Sequence, residues 1–392
     1  MSILHANMDI MGTKIPRLLT KRLRSSSKSV LLLGPRQVGK STMIQELKPE
    51  ISINLSDETT YLDFASNPEE LRQLLRGNSY KSVFIDEIQR LPSLLNTIQV
   101  VLDDKANRTK FYLTGSSARK LKRGHANLLP GRIFAYQLGP LCAAELNYDL
   151  DVQRALSLGC LPEPYLQART LEAEKLLATY SGVYLKEEIQ AEALTRNLEG
   201  FSRFINVAAE SSGQVLDFSK IAKQAKIERK ICTRFYEILE DTLIAGKLEV
   251  YDKTDADIKK RPKFYFFDTG VLNGLLGNFK VSNDRKGVLF EHLTINQVLC
   301  SAKAHDKIVK LSYFRTRSGY EVDLILEIGD KIYAVEIKSG AVDPSDAQRL
   351  ERFLEYEGKV SGLYLVCLKT SLRKIGKVKI CELSHFIKDI GL

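Results

Sequence analysis

The sequence predicts an α/β protein in three parts, and three stretches with different hydrophobic periods carry that prediction. Over about residues 20–145, short apolar strands alternate with helical patterns, which is typical of a parallel, doubly wound sheet. From residue 151 to 241 the period is helical. After about residue 287, short strands in series beside single helices predict a mixed sheet. The predicted parts are residues 1–148, 149–283 and 284–392.

Composition excludes some classes of protein and favours one class of partner. The 392 residues include 58 Lys and Arg against 48 Asp and Glu, a net charge of +10 that favours anionic partners such as nucleic acid. No apolar run approaches the roughly 20 residues that a bilayer helix needs, so we expect no membrane-spanning segment. Six cysteines without a CxxC pair, and charges that interrupt the N-terminus, predict a cytoplasmic protein with buried thiols.

The first predicted strand, Ser29–Gly34, leads into a glycine loop that matches G-x4-G-K-[ST] and is followed by a helical pattern. Backbone N–H groups of such a loop bind phosphate oxygens, its lysine reaches the β- and γ-phosphates, and its serine ligates Mg²⁺. The sequence therefore predicts a site for ATP and Mg²⁺, with Lys40 also catalytic and Ser41 also a metal ligand. The predicted nucleotide-binding residues of this loop are Gly34, Pro35, Arg36, Gln37, Val38, Gly39, Lys40, Ser41 and Thr42.

Two later strands end in polar residues that suit the same chemistry. The strand Ser82–Asp86 ends in Asp86, a predicted metal and nucleotide ligand, and Glu87 follows it as the residue expected to polarise the attacking water. Hydroxyl groups after the next strand, on Thr114, Ser116 and Ser117, are placed to contact a γ-phosphate. A plain turn is the alternative for these hydroxyls.

Arg132 lies in a loop before a further apolar stretch, Phe134–Leu138. A guanidinium in such a loop can act on the γ-phosphate as a sensor or an arginine finger. A solvated loop side chain is the alternative interpretation.

The middle part ends in the order helix, helix, hairpin, which is typical of a winged helix-turn-helix. Six cations fall on the two short helices and can neutralise DNA phosphates, although a solvated face or a protein-binding module gives the same pattern. These cations are Lys220, Lys223, Lys226, Arg229, Lys230 and Arg234, and the predicted wing adds Lys259, Lys260, Arg261 and Lys263.

The C-terminal part carries acids and a lysine at the ends of apolar strands. Glu336 and Lys338 share one face of a strand because alternate residues point the same way, and Asp323 can lie beside them. Glu291, in the preceding helix, adds another acid. Two carboxylates can bind Mg²⁺ or Mn²⁺, and the lysine can activate water for attack on a phosphodiester. A surface Glu–Lys pair at a polar strand end is the alternative.

Taken together, the sequence resembles prokaryotic AAA-plus-like ATPases with a C-terminal domain of unknown function and restriction-endonuclease-like fold. The resemblance rests on segments in a specific order: Gly34–Ser41, Phe84–Gln89, Leu113–Ser117, Gly131–Arg132 followed by Leu138–Leu141, Gly159–Glu163, Lys263–Asp268, and Arg315 through Asp323 to Lys338. It implies a P-loop ATPase domain, a winged-helix middle and a PD-(D/E)XK nuclease-like end.

We therefore expect a Mg²⁺-dependent ATPase that acts on DNA, with a metal-dependent nuclease centre as a second prediction at Asp323, Glu336 and Lys338. The rival hypothesis is an ATP-driven switch that binds a protein partner, with the C-terminal part as an inactive scaffold. Either hypothesis is compatible with a homo-oligomer.

Overall fold

The computed structural model describes residues 14–67, 69–77, 80–104, 107–116, 129–184, 197–252 and 261–392. Three predictions therefore fall outside the described residues: the hydroxyl of Ser117, the wing residues Lys259 and Lys260, and residues 185–196 of the predicted helical stretch 151–241. Within the described part of the chain, none of the helices is long and apolar enough to cross a bilayer. The six cysteines are all buried and unpaired.

The N-terminal part is a parallel five-stranded sheet with the order β2-β3-β4-β1-β5. Its strands are β1 (Ser29–Leu33), β2 (Ile51–Asn54), β3 (Ser82–Asp86), β4 (Lys110–Gly115) and β5 (Ile133–Gln137). Its helices are α1 (Leu19–Ser25), α2 (Lys40–Gln45), α3 (Glu58–Ser66), α4 (Glu70–Gly77) and α5 (Leu94–Asp103), with a 3₁₀ turn at Ile88–Arg90.

Strand β1 shows why this sheet is buried on both faces. All five of its residues are buried, and alternate side chains enter different cores. Val30 and Leu32 belong to one hydrophobic cluster, and Leu31 and Leu33 belong to another. A continuous apolar strand is what a parallel sheet covered on both faces requires.

The middle part is helical up to an antiparallel pair of strands. Its helices are α6 (Val152–Leu158), α7 (Pro162–Leu166), α8 (Thr170–Thr179), α9 (Leu198–Glu210), α10 (Phe218–Ala225), α11 (Arg229–Asp241) and α12 (Thr269–Leu276), and a π-helical turn covers Tyr180–Tyr184. Strands β6 (Ala245–Val250) and β7 (Lys263–Phe266) follow α11 as an antiparallel pair, in the predicted order. Edge-to-face contacts of Phe204 and Phe235 with neighbouring rings join α9 to α11.

The C-terminal strands form a mixed sheet that also takes in the hairpin of the middle part. The order is β12-β13-β11-β10-β9-β8-β6-β7, and β6 pairs with β8 in parallel, so the sheet crosses the predicted boundary at residue 283. The strands are β8 (Val309–Arg315), β9 (Glu321–Ile328), β10 (Lys331–Lys338), β11 (Gly362–Cys367), β12 (Arg373–Ile375) and β13 (Val378–Glu382). The helices are α13 (Asn283–Ala304), α14 (Pro344–Glu351) and α15 (Leu383–Asp389), with a 3₁₀ turn at Arg352–Glu355.

Candidate functional site

The glycine loop joins the carboxyl end of β1 to the start of α2 and adopts backbone angles that glycine permits. Gly39 has φ +90° immediately before Lys40, the first residue of α2. A Cβ on Gly34 would lie 2.3 Å from the Leu138 carbonyl oxygen, so any larger residue would push the two backbones apart. Positive φ and close backbone approach are the two reasons for glycine in such loops.

Lys40 extends back over this loop. Its Nζ donates to the carbonyl oxygens of Gly34 and Pro35, both at 2.8 Å, and the residue is 4% exposed. The ammonium therefore lies inside the loop at a helix start, where phosphate oxygens are attracted by the backbone N–H groups and the helix dipole.

Three residues meet at the carboxyl edge of the sheet: Ser41 from α2, Asp86 from β3 and Thr114 from β4. Ser41 Oγ donates to Asp86 Oδ1 at 2.9 Å, and the Thr114 hydroxyl donates to the same oxygen. A hydroxyl and a carboxylate in contact are the ligands that Mg²⁺ prefers when it also holds water and nucleotide phosphates. The side chains of Ser41 and Asp86 are therefore suitable ligands for an Mg²⁺ ion, and the Thr114 hydroxyl orients the Asp86 carboxylate.

Glu87 follows Asp86 with a left-handed backbone, φ 57°. Its N–H donates to Thr114 Oγ1 at 3.3 Å, and its carboxylate accepts a hydrogen bond from the side-chain amide of Gln89. The same amide donates to Ser116 Oγ at 2.9 Å. Gln89 thus holds the predicted water-polarising carboxylate, a contact that we did not predict, although Gln89 ends the segment Phe84–Gln89.

Arg132 lies at the other edge of this sheet. It directly precedes β5, whose first residue, Ile133, pairs with Ser29 at the start of β1, whereas the glycine loop follows the end of β1. The strand between them is about 13 Å long. The guanidinium pairs with the carboxylate of Asp103. The prediction that Arg132 senses the γ-phosphate of its own chain is therefore wrong, because parallel strands place it at the amino edge.

The structure brings together the four residues predicted for the C-terminal site, which are Glu291, Asp323, Glu336 and Lys338. The Asp323 carboxylate accepts a hydrogen bond from the Ile337 N–H at 2.8 Å, which places it beside Glu336, and Lys338 Nζ lies 2.9 Å from Glu336 Oε1. Burial and the neighbouring carboxylates of Glu336 and Glu291 raise the pKa of Asp323 well above its ordinary value. Burial also raises the pKa of Glu336, and the Lys338 ammonium partly opposes that shift.

A lysine from the hairpin enters this acid cluster. Lys263 Nζ lies 3.2 Å from Glu291 Oε1 and 3.0 Å from Glu321 Oε1, and Tyr265 donates to the same Glu291 oxygen at 2.7 Å. Burial disfavours the ammonium, but the carboxylates of Glu291 and Glu321 outweigh burial and raise the pKa of Lys263. Lys263 is only 5% exposed, so the prediction that it supplies charge to an exposed wing is wrong.

These contacts pair acids of the cluster with lysines, and the nuclease centre at Asp323, Glu336 and Lys338 stays a prediction. Glu291 and Glu321 already neutralise the Lys263 ammonium, and Glu336 is paired with Lys338. Over the described ranges of the chain, no three His, Cys, Asp or Glu side chains are arranged to share one metal ion.

The six cations of the two short helices remain at the surface. Asp217 caps the start of α10 by accepting from the N–H groups of Ser219 and Lys220, which orients the helix. The exposed cations of α10 and α11, with the residue between them, are Lys220, Lys223, Lys226, Arg229, Lys230 and Arg234. We call this set the basic face.

Comparisons with known proteins divide the chain into three. Residues 26–147 match the model of the AAA domain, residues 149–282 match a domain of unknown function (DUF8612), and residues 286–386 match another (DUF4143). The first match agrees with the loop geometry. Residues 26–147 form an AAA-type P-loop ATPase domain, which implies nucleotide binding.

The relatives found by sequence have no described function. Uncharacterized proteins of Mycobacterium bovis (Mb2031c) and Mycobacterium tuberculosis (Rv2008c) are each 25% identical over 323 residues, which covers 79% of this chain and 70% of theirs.

Solved structures give weaker matches. A Signal Transduction ATPase with Numerous Domains from Pyrococcus horikoshii is 12% identical with a TM-score of 0.24; the match covers 73% of this chain and spans about half of that chain, 47%. Protein VC1899 from Vibrio cholerae is 12% identical with a TM-score of 0.22, over 93% of this chain and 96% of that one. Scores this low do not define a shared overall fold.

Proposed function

We propose that the chain is a Mg²⁺-dependent ATP hydrolase that acts on DNA. The observation that carries the hydrolase is the convergence of Lys40, Ser41, Asp86, Thr114 and Glu87 at one sheet edge. The basic face supports DNA as the partner.

Each residue has a role that its contacts support. Lys40 leaves its loop carbonyls for the β- and γ-phosphates, and Ser41 and Asp86 hold Mg²⁺. When bound, Mg²⁺ neutralises charge on the phosphates. Glu87 accepts a hydrogen bond from the attacking water and orients it toward the γ-phosphate. For this, the water replaces the Gln89 amide as a donor to the Glu87 carboxylate.

The basic face suits a phosphate backbone. Its cations are exposed on and between α10 and α11, two short helices of a size that can lie in or across a groove of DNA. Neutralising phosphates with these cations supplies an affinity that does not depend on sequence and falls steeply with salt. We do not extend the proposal to a metal-dependent nuclease centre, because Glu336 is paired with Lys338, and no three His, Cys, Asp or Glu side chains of the described residues are arranged to share a metal ion.

The decisive experiment measures steady-state ATP turnover with Mg²⁺, without DNA and with duplex, forked and four-way DNA. We expect DNA to accelerate turnover in the parent, and we expect Lys40→Ala to lower turnover about 100-fold or more in every condition. Turnover in Lys40→Ala equal to that of the parent would show that the activity does not come from this site.

A charge-removal variant locates the DNA contact. Replacing Lys223, Lys226 and Lys230 by Ser should lower the slope of log affinity against log salt by about 2 to 3, since each lost phosphate contact contributes about 0.9. The matched control replaces three exposed cations by Ser: Arg373 and Lys374 on β12, the edge strand at the opposite end of the C-terminal sheet from β7, and Lys369 shortly before it. Equal loss in the control would place the contact elsewhere.

A second candidate is an ATP-driven switch that binds a protein partner. The pairing of Lys263 with Glu291 and Glu321 favours it, because a neutralised acid cluster leaves the C-terminal part without evident chemistry. Absence of both DNA-stimulated turnover and salt-dependent DNA binding would favour the switch over the DNA-dependent hydrolase.

A further inference from the structure

The segment Leu138–Glu145 lies between the glycine loop and helix α13 of the C-terminal part. At its start, Leu138 N–H donates to the Leu33 carbonyl at 2.8 Å, and the Leu138 carbonyl is the group that a side chain on Gly34 would strike. We call this segment the bridge segment. It touches the loop that binds nucleotide without belonging to the phosphate-binding motif.

Arg17 ties the glycine loop to the bridge segment. One Nη donates to the Val38 carbonyl at 2.5 Å, the other donates to the Gly139 carbonyl at 2.8 Å, and Nε donates to Glu145 Oε1 at 2.8 Å. Arg17 is 8% exposed, and the Glu145 side chain is fully buried. The planar guanidinium makes these three bonds from three separate nitrogen atoms, a spread that the single nitrogen of an ammonium does not offer.

Gln297 ties the same segment to α13. Its Oε1 accepts from the Ala143 N–H at 2.8 Å, and its Nε2 donates to the Leu141 carbonyl at 3.1 Å. Gln297 is fully enclosed at 1% exposure, so a displaced α13 would leave buried backbone groups of the bridge segment unsatisfied.

We propose that Arg17 is a positioning residue for the glycine loop, and that Gln297 makes nucleotide affinity depend on how α13 packs. The loop, the bridge segment and α13 are joined by buried hydrogen bonds, and shifting either end strains or breaks bonds at the other. Coupling of this kind is reciprocal, so bound nucleotide strengthens the docking of α13. The inference rests on the proposed nucleotide binding.

The test compares dissociation constants for a non-hydrolysable ATP analogue with Mg²⁺. Gln297→Leu should weaken binding about five-fold or more, the lower end of typical coupling between sites. The matched control is Tyr320→Phe, which removes another enclosed side-chain donor, to the Arg349 carbonyl at 3.0 Å, in a residue that packs against Phe314 and Tyr356 of the C-terminal part. Tyr320→Phe should leave the constant within about two-fold of the parent.

Variants of Arg17 separate positioning from a general loss of structure. Arg17→Met should raise KM for ATP by a larger factor than it lowers kcat, and Arg17→Lys should recover part of the loss by keeping the charge beside Glu145. The positioning role would be overturned if Arg17→Met lowered kcat and left KM unchanged, or if Arg17→Lys recovered none of the loss.

A measurement on the parent covers the case in which a variant does not fold. Saturating nucleotide should slow amide hydrogen exchange in α13 as well as in the glycine loop. Exchange unchanged in α13, or an affinity of Gln297→Leu equal to that of the parent, overturns the coupling and leaves nucleotide binding intact. A parent that binds no nucleotide overturns the proposed function together with the coupling.

Discussion

The nucleotide site and the C-terminal acid cluster each combine carboxylates with a lysine, yet the lysine binds different groups in the two sites. In the nucleotide site, Lys40 donates to two backbone carbonyls, and Asp86 accepts hydrogen bonds from the hydroxyl groups of Ser41 and Thr114. In the acid cluster, Lys263 is bound by two carboxylates. A lysine that donates to neutral carbonyls can exchange them for phosphate oxygens, whereas a buried lysine paired with two carboxylates is a structural counter-ion.

Removing the Lys263 ammonium should have the largest effect on stability, and it tests this contrast directly. Lys263→Met leaves the half-buried Glu291 without its ammonium, whereas Glu321 keeps Arg315, so the loss should be about 3 kcal/mol of unfolding free energy, the low end for breaking a buried pair. Urea unfolding measures it. The control, Lys247→Met, removes a lysine that is partly exposed and pairs with Glu240 at 3.0 Å, so it should cost about 1 kcal/mol or less.

Two further results bear on the same cluster. The double variant Lys263→Met with Glu291→Gln should be more stable than Lys263→Met alone, because one unpaired charge is gone. Saturable Mn²⁺ binding to the nucleotide-free parent that Asp323→Asn abolishes would contradict a lysine-neutralised cluster.

A smaller effect concerns His292, beside Glu291 on α13. Burial lowers the pKa of His292 to about 4 from an ordinary value of 6.5, and the ring contacts the Phe266 carbonyl of β7 at 2.7 Å. The unfolded chain therefore binds the proton more readily, so this residue's contribution is complete above pH 6.5 and is lost as the pH falls toward 4. Between about pH 7.5 and about pH 5 the loss is about 2 kcal/mol.

Unfolding of the parent and His292→Gln at both pH values checks that prediction. Burial raises the pKa of Asp268 to about 6, so this acid titrates with the opposite sign, and only the difference between the two proteins isolates His292. The parent's advantage should shrink by about 2 kcal/mol at the lower pH. An advantage that does not change with pH would refute the neutral, buried ring.

The smallest expected effect is that of Arg132 on turnover. Because Arg132 pairs with Asp103 at the amino edge, Arg132→Ala should leave kcat within about two-fold of the parent in dilute protein. ATP turnover over a range of protein concentrations measures this. A fall of about ten-fold or more that grows with protein concentration would instead identify a finger that acts on a second copy of the chain.

Local patterns in the sequence predict the nucleotide site well, because its loop is contiguous and its other residues end apolar strands. Period-two alternation also brings Asp323, Glu336 and Lys338 together. Lys263 could not be predicted as their neighbour, because Glu291 lies 28 residues further along and only the docking of β7 on α13 brings the two together. Arg132 could have been placed correctly, since a residue that precedes a parallel strand lies at its amino edge.

The pairing of β6 with β8 has a consequence for how the chain folds. Truncation after residue 283 would reduce this sheet to the β6–β7 hairpin with its bridge from Lys263 to Val215, and it would expose β8 as an unpaired edge on the other fragment. A hairpin of two strands is marginally stable alone, and a bare edge invites aggregation. The middle and C-terminal parts, although they match separate families, should therefore unfold in one cooperative step.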